Sequence, residues 1–236
     1  YMELNVSRAQ KKSNPRIRII GTSHISEQSV TEIKKVVAEF KPAIVAVELD
    51  SQRYSALMSK RRRKMNLRNA LKLGLFGFLF YIIGSISQKI LGKKTGQQPG
   101  IDMKTGILEA KKAGAKVALI DRDISITLYR LSKKVPAKEK SKLVFYLLFG
   151  GFSKNKINLD LSKVPKDKLV HKLISELSHK FPGFYRVLVA ERDTYMQNQV
   201  QLISHKFPDS KLLIIIGAGH KEKMKKFVSK LINTNN

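Results

Sequence analysis

Two short stretches of this sequence share the spacing Gly-x-x-His: Gly21-Thr22-Ser23-His24 and Gly217-Ala218-Gly219-His220. Each follows a run of branched apolar residues. A third apolar run ends in Glu48-Leu49-Asp50, with Arg53 and Tyr54 just beyond it, and a fourth ends in Asp121-Arg122-Asp123. Two imidazoles and a carboxylate are a common ligand set for a hydrolytic divalent metal. Such a metal polarises a carbonyl or lowers the pKa of a bound water. A further carboxylate could act as general base, and an arginine could clamp a substrate carboxylate or stabilise an oxyanion. Glycine three residues before each histidine lets the backbone turn off a strand and lets a ligand approach closely.

Each residue also has a plainer reading. Either histidine alone would serve as a helix cap or stand in solvent. Glu48 ends an apolar run, where a carboxylate is costly to bury unpartnered, so a buried ion pair with Arg53 or Arg122 is the alternative to a site role. Asp123 either caps the helix that follows or joins the site. Glu191, Arg192 and Asp193 fall mid-helix after the apolar Val187–Ala190, and form a solvated face or a buried polar cluster. His171, His179 and His205 lie in basic helical segments and read as surface residues.

Positioning these groups requires elements that end where they begin. Arg16–His24 starts as a strand, with Ile17, Ile19 and Ile20 β-branched. Ser26, or Ser29, caps a helix whose Val30, Ile33, Val36, Val37 and Phe40 share one face, and Pro42 stops it. Ala43–Asp50 reads as a strand buried on both sides in a parallel sheet. The first 50 residues thus form a strand–helix–strand crossover unit, right-handed by the general rule. A helix through Met103–Ala113 breaks at Gly114, and Lys116–Asp121 is a third buried strand. Pro182 opens a long helix to about His205, Lys211–His220 contains the fourth strand, and Lys221–Ile232 is an amphipathic helix. If the strands are parallel, their carboxyl ends gather two histidines, several carboxylates and one or two arginines at one edge, the place where open α/β sheets bind ligands. The expected fold class is α/β: a mainly parallel β-sheet flanked by helices, with an inserted helical region. We expect residues 1–236 to form one such domain, with segments 55–100 and 124–180 as helical insertions or a cap.

The composition narrows the function classes. The chain has 236 residues, Lys+Arg 46 against Asp+Glu 18, and a formal net charge of +28. Zero Cys removes disulfides, thiol nucleophiles and Cys-ligated metals, and zero Trp removes Trp stacking platforms. The basic excess has two readings, a polyanionic partner or a lysine-rich composition spread over the whole chain, and the even spread favours the second. Aromatics are not interleaved with Arg as an RNA-binding sheet requires, so nucleic acid is not the expected partner. Dinucleotide fingerprint, Walker loop and Gly-x-Ser-x-Gly elbow are all missing. A basic helix over residues 51–72 includes Ser59–Lys64 and leads to Leu71–Gly92, whose apolar heart, Leu73–Ile86, is shorter than the roughly 18–20 residues a spanning helix needs. It reads as a buried or interface helical hairpin, a route to oligomerisation through residues 71–91, or as contact with an anionic membrane surface. The polar start of the chain shows no secretory signal, which points to the cytoplasm or the cytoplasmic face of a membrane.

The stretches GTSHISEQSVTEIKKVV, AIVAVELDSQRYSAL, PGIDMKTGILEAKKAGAKVALIDRDISITL, ERDTYM and IIIGAGH, in that order, resemble the TraB/PrgY (pheromone-shutdown) domain in its archaeal form. That family is similar in turn to GumN and Tiki proteins and to the erythromycin-esterase/ChaN-like folds. The Tiki branch implies a divalent-metal-dependent peptidase, and the PrgY branch a membrane protein acting against a peptide pheromone. Carried over by motif, the resemblance implies His24, Glu48 and His220 as metal or catalytic residues. Arg53, Arg122, Glu191 and Arg192 would surround them as catalytic groups, with Tyr54, Asp102 and Asp121 toward the substrate. The implied metal is Mn, Co or Zn, with haem left open by the ChaN likeness, and the implied partner is a peptide. Archaeal relatives continue into a carboxyl-terminal membrane anchor, which would follow the KLINTNN end of this sequence. The resemblance thus implies a metal-dependent hydrolase acting on peptides. A non-catalytic, membrane-associated regulatory or peptide-binding module is the alternative.

Overall fold

The computed structural model describes residues 16–22, 27–59, 100–149 and 166–234. His24, the 60–99 segment and 150–165 lie outside the described residues, as do the expectations placed on them. The centre is a four-stranded, all-parallel sheet of β1 (Ile17–Thr22), β2 (Ile44–Val47), β3 (Lys116–Leu119) and β4 (Leu212–Gly217), in the order β1-β4-β2-β3. The last strand of the chain therefore enters the middle of the sheet. It separates β1 from β2, so the first crossover, through helix α1 (Glu27–Phe40), spans two strand positions rather than joining neighbours.

Strand β4 is buried at all six positions, and β2 at all four. Both have neighbours on each side and helices on each face, so every side chain must be apolar whichever way it points. β3 differs from its sequence reading. It stops at Leu119 and pairs with β2 only, and its residues are partly exposed because no described strand covers its other side.

Two apolar layers sandwich the sheet. On one face, Ala46, Leu212, Ile214 and Ile216 pack against Met196 and Val200 of α8 (Glu191–Lys206) and Met224 and Val228 of α9 (Ala218–Thr234). On the other, Val45, Val47, Leu213 and Ile215 meet Ile33, Val37 and Phe40 of α1 and Met103, Ile107 and Ala110 of α3 (Ile101–Lys112). Each fully buried side chain of this kind contributes roughly 1.5–3 kcal/mol of transfer free energy. Helix α3 approaches the sheet at Gly106, where an added Cβ would lie 2.5 Å from Ile215 Cδ1.

Helix α2 (Ser51–Met58) ends at Ser59, whose backbone is extended; the rest of the basic segment expected to be helical, 60–72, lies outside the described residues. Beyond β3 come α4 (Ile124–Lys134), α5 (Ala137–Phe149), α6 (Lys166–Lys180) and a short α7 (Pro182–Tyr185). Leu128, Leu131, Val135, Phe181, Phe184 and Val187 form a third apolar cluster among them. The long helix expected from Pro182 is interrupted: Arg186–Ala190 forms a π-turn before α8. His171, His179 and His205 are exposed, as expected. Among the described residues, no helix is long and apolar enough to cross a membrane.

Candidate functional site

All four strands run the same way, so their carboxyl ends share one edge. At that edge Glu48 leaves β2 and is 3% exposed. Its Oε2 accepts from the Gly217 amide at 2.6 Å, and its Oε1 accepts from Arg192 Nη2 at 2.5 Å. Glu48 is thus anchored to the last residue of the neighbouring central strand. Among the described residues, the arginine that pairs with it is Arg192, from the far end of the chain, and not Arg53 or Arg122.

Arg192 is the hub. Its Nε and Nη2 donate to both oxygens of Asp121, at 3.0 and 2.7 Å, while Nη1 donates to the Leu188 carbonyl at 3.2 Å. Burial opposes its charge, but Glu48 and Asp121 outweigh that cost and raise its pKa further, so it is a permanent cation. Asp121 also accepts from Arg53 Nη1 at 2.9 Å. Arg53 is aimed by Asp50, the N-cap of α2, whose Oδ1 accepts from the amides of Gln52 and Arg53 at 2.8 and 2.9 Å.

His220 sits in the first turn of α9, because the helix begins at Ala218 directly after β4. It is 8% exposed. Its Nδ1 lies 2.5 Å from Asp193 Oδ1, and its Nε2 lies 3.5 Å from both Glu48 Oε1 and Arg192 Nη1. An ionised carboxylate only accepts, so the Nδ1 proton belongs to the bond with Asp193. In the neutral imidazole, Nε2 then carries a lone pair directed at the Glu48–Arg192 pair. Lys223, one turn along α9, donates to Asp193 Oδ2 and to the Tyr185 hydroxyl, both at 2.8 Å. Burial lowers the Lys223 pKa, and the bonds to Asp193 and Tyr185 more than restore it, so the net direction is upward.

A profile of the TraB/PrgY/gumN family matches residues 5–234. The chain belongs to that family. It is 37% identical over 222 residues to an uncharacterized protein of Methanocaldococcus jannaschii, covering 93% of this chain and 55% of that protein. It is 27% identical to TraB domain-containing proteins of Mus musculus, over 205 residues, and of Homo sapiens, over 207; each alignment covers 81% of this chain and 53% of the relative. The chain spans about half the length of these relatives.

In this TraB-family chain, the sheet edge brings together Glu48, Arg53, Asp121, Arg192 and His220. Arg122 forms a second, adjoining knot: Nη1 donates to Glu191 at 2.8 Å, Nη2 to the Val187 carbonyl at 3.1 Å and Nε to Thr127 at 3.2 Å. Arg130 reaches Glu191 at 3.2 Å. Burial raises the Glu191 pKa, but the bonds and charges of Arg122 and Arg130 prevail and leave it lowered. Glu191 thus pairs with both Arg122 and Arg130. Tyr54 is turned the other way: its hydroxyl meets Lys111 Nζ at 3.2 Å and its ring packs on the α1–α3 side. Asp102 is fully buried in the first turn of α3, where Oδ1 accepts from the Met103 amide. Asp123 caps α4 through Ser125 and also receives Gln52 Nε2, so the cap reading holds for it.

Two carbonyls of the π-turn at Arg186–Ala190 accept from arginine side chains, Val187 from Arg122 and Leu188 from Arg192. Glu191, Arg192 and Asp193 fan out to Arg122, Asp121 and His220. Asp193, Lys223 and Tyr185 carry no motif of their own. The available signals were the Glu-Arg-Asp run itself and the one-turn spacing of Lys223 from His220.

Among the described residues, no group of three or more His, Asp or Glu side chains is placed to hold a metal ion. Glu48 Oε1 and His220 Nε2 lie 3.5 Å apart, and Asp193 backs the imidazole on its other nitrogen.

Proposed function

We propose that this chain is a metal-dependent hydrolase acting on a peptide at the carboxyl edge of its sheet. The carrying observation is the Asp193–His220 bond, which turns Nε2 toward Glu48 Oε1 and toward the Arg192 Nη1 donor, each 3.5 Å away, in a buried setting. Glu48 and His220 would hold the metal, with His24, which lies outside the described residues, as the third ligand by motif. When bound, a divalent ion would polarise the scissile carbonyl and acidify a water. The remaining steps belong to side chains. Asp193 orients His220, the Gly217 amide orients Glu48, and Asp121 keeps the Arg192 guanidinium where it can bind a substrate carboxylate or a developing oxyanion. The peptide class follows the Tiki and PrgY resemblance. The membrane-associated, non-catalytic alternative rests on the basic face and on Leu73–Ile86, which lies outside the described residues.

The test is incubation of the purified chain with a defined peptide mixture and manganese, cobalt or zinc, following new amino termini by mass spectrometry. Cleavage by wild type that is lost in Glu48→Gln and His220→Ala supports the reading. Absence of cleavage with all three metals, or undiminished cleavage by His220→Ala, overturns it.

A further inference from the structure

Lys223 bridges the two sides of the π-turn. Its Nζ donates to the hydroxyl of Tyr185, which directly precedes Arg186–Ala190, and to Oδ2 of Asp193, which lies beyond it, both at 2.8 Å. The other oxygen of Asp193 holds His220 Nδ1. Tyr185, Lys223, Asp193 and His220 thus form one chain of hydrogen bonds that joins α7, α9 and α8. The chain runs from the Lys223 side chain, 42% exposed, to the buried Asp193 and His220. We infer that Lys223 and Tyr185 are positioning residues for His220, acting on it through Asp193. This rests on the reading of His220 as a reacting group and is the same whether or not a metal takes part.

A carboxylate that meets one partner with each oxygen is oriented by both. The terminal torsion of an aspartate is broad, so the imidazole bond alone would leave Asp193 free to turn about it. Lys223 removes that freedom by tying Oδ2 to a charged donor, and bonds of this kind are the stronger ones. A lysine ammonium sits on a flexible stem and its donors rotate. The Tyr185 hydroxyl takes one of them and fixes where the ammonium stands. Tyr185 is the last residue of α7, and the start of α7 is fixed in turn, because the Gly183 amide donates to both oxygens of Glu139 in α5, at 3.1 and 2.9 Å. Helix α6 also packs on the first turn of α9: a Cβ added at Gly219 would lie 2.7 Å from Ile174 Cδ1. The helices that follow β3 therefore reach α9 before His220, at Gly219, and after it, at Lys223. The aim of the imidazole depends on them as well as on the sheet edge.

Nuclear magnetic resonance of the full chain carrying ¹⁵N-labelled histidine, with neither metal nor peptide added, tests this. The His220 ring is assigned by its loss in His220→Gln. In wild type the ring nitrogens should report the Nδ1–H tautomer, and the Nδ1 proton should exchange slowly with solvent. Lys223→Met should speed that exchange about tenfold and Tyr185→Phe about threefold, the order expected when a hydrogen bond to a charged group is lost from a local opening equilibrium. Lys223→Arg keeps the charge and the donors, and should return the rate to within about twofold of wild type. Lys225→Met removes the same charge from an exposed pair with Glu222 on α9, and should leave the rate unchanged, which separates positioning from a general field effect. Should Lys223→Met not fold, Tyr185→Phe, which removes a single hydroxyl, carries the comparison. Ring signals and exchange that stay at wild-type values in the folded variants overturn the inference and leave the hydrolase reading standing. Altered ring signals and faster exchange support it even where wild type cleaves no peptide, a result that would overturn the hydrolase reading alone.

Discussion

His220 Nδ1 lies 2.5 Å from Asp193 Oδ1, joining the first turn of α9 to the first turn of α8. This bond decides which ring nitrogen of the neutral imidazole carries the proton. Asn at position 193 can donate where Asp can only accept, which moves the imidazole proton to Nε2 and blocks the lone pair. Asp193→Asn should therefore reduce metal affinity or turnover roughly 10–100-fold while the fold persists. The checks are calorimetry, peptide turnover, and ¹⁵N chemical shifts of the His220 ring, which report the tautomer directly.

Arg192 neutralises two buried carboxylates, Glu48 and Asp121, at 4% and 2% side-chain exposure. Removing one partner of such a group leaves uncompensated buried charge, so Arg192→Ala should cost about 3–5 kcal/mol. Asp121→Asn in the same background should recover part of that loss. Urea unfolding of the two single variants and the double variant measures the coupling.

Glu191 is held below its ordinary carboxylate pKa once the pull of Arg122 and Arg130 has overcome burial. A depressed folded-state pKa means stabilisation that is fully present above the unfolded value, about pH 4.3. It is lost as pH falls through the folded value. Wild type should thus be more stable than Glu191→Gln at neutral pH, with the gap closing below about pH 4. Unfolding midpoints from pH 7 down to pH 3 would show it; a gap that widens in acid would contradict the assignment.

Lys223 behaves in the opposite sense. Its pKa is raised by Asp193 and Tyr185 against the effect of burial. The stabilisation is complete below the unfolded value of about 10.4 and disappears as pH rises through the folded one. Lys223→Met should be less stable than wild type at pH 8 and converge with it in strong alkali, as followed by thermal melts across that range.

Asp123 accepts from the Ser125 amide at 2.7 Å at the start of α4. Asp123→Ala should lower stability by about 1 kcal/mol, the usual value of an N-cap. Asp123→Asn, which still caps, should restore most of it in the same denaturant titration.

The strands, most helices, the parallel sense of the sheet and the strand-end location of the polar residues were legible in the sequence alone. Each rests on local chemistry: β-branched runs, capping residues, the glycine at 114 and prolines at helix boundaries. Partner choice was not legible. The plainer reading of Glu48 pairs it with Arg53 or Arg122, which are nearer in the chain, but β4 enters between β1 and β2 and carries α9 with it, while α8 brings Arg192 over the same edge. The π-turn at Arg186–Ala190 has no signature in residue type, and it directly precedes the three charged residues of the network. Periodicity and spacing record which face a residue occupies within its own element. Which elements become neighbours depends on the packing of both sheet faces at once, and only the tertiary structure resolves it.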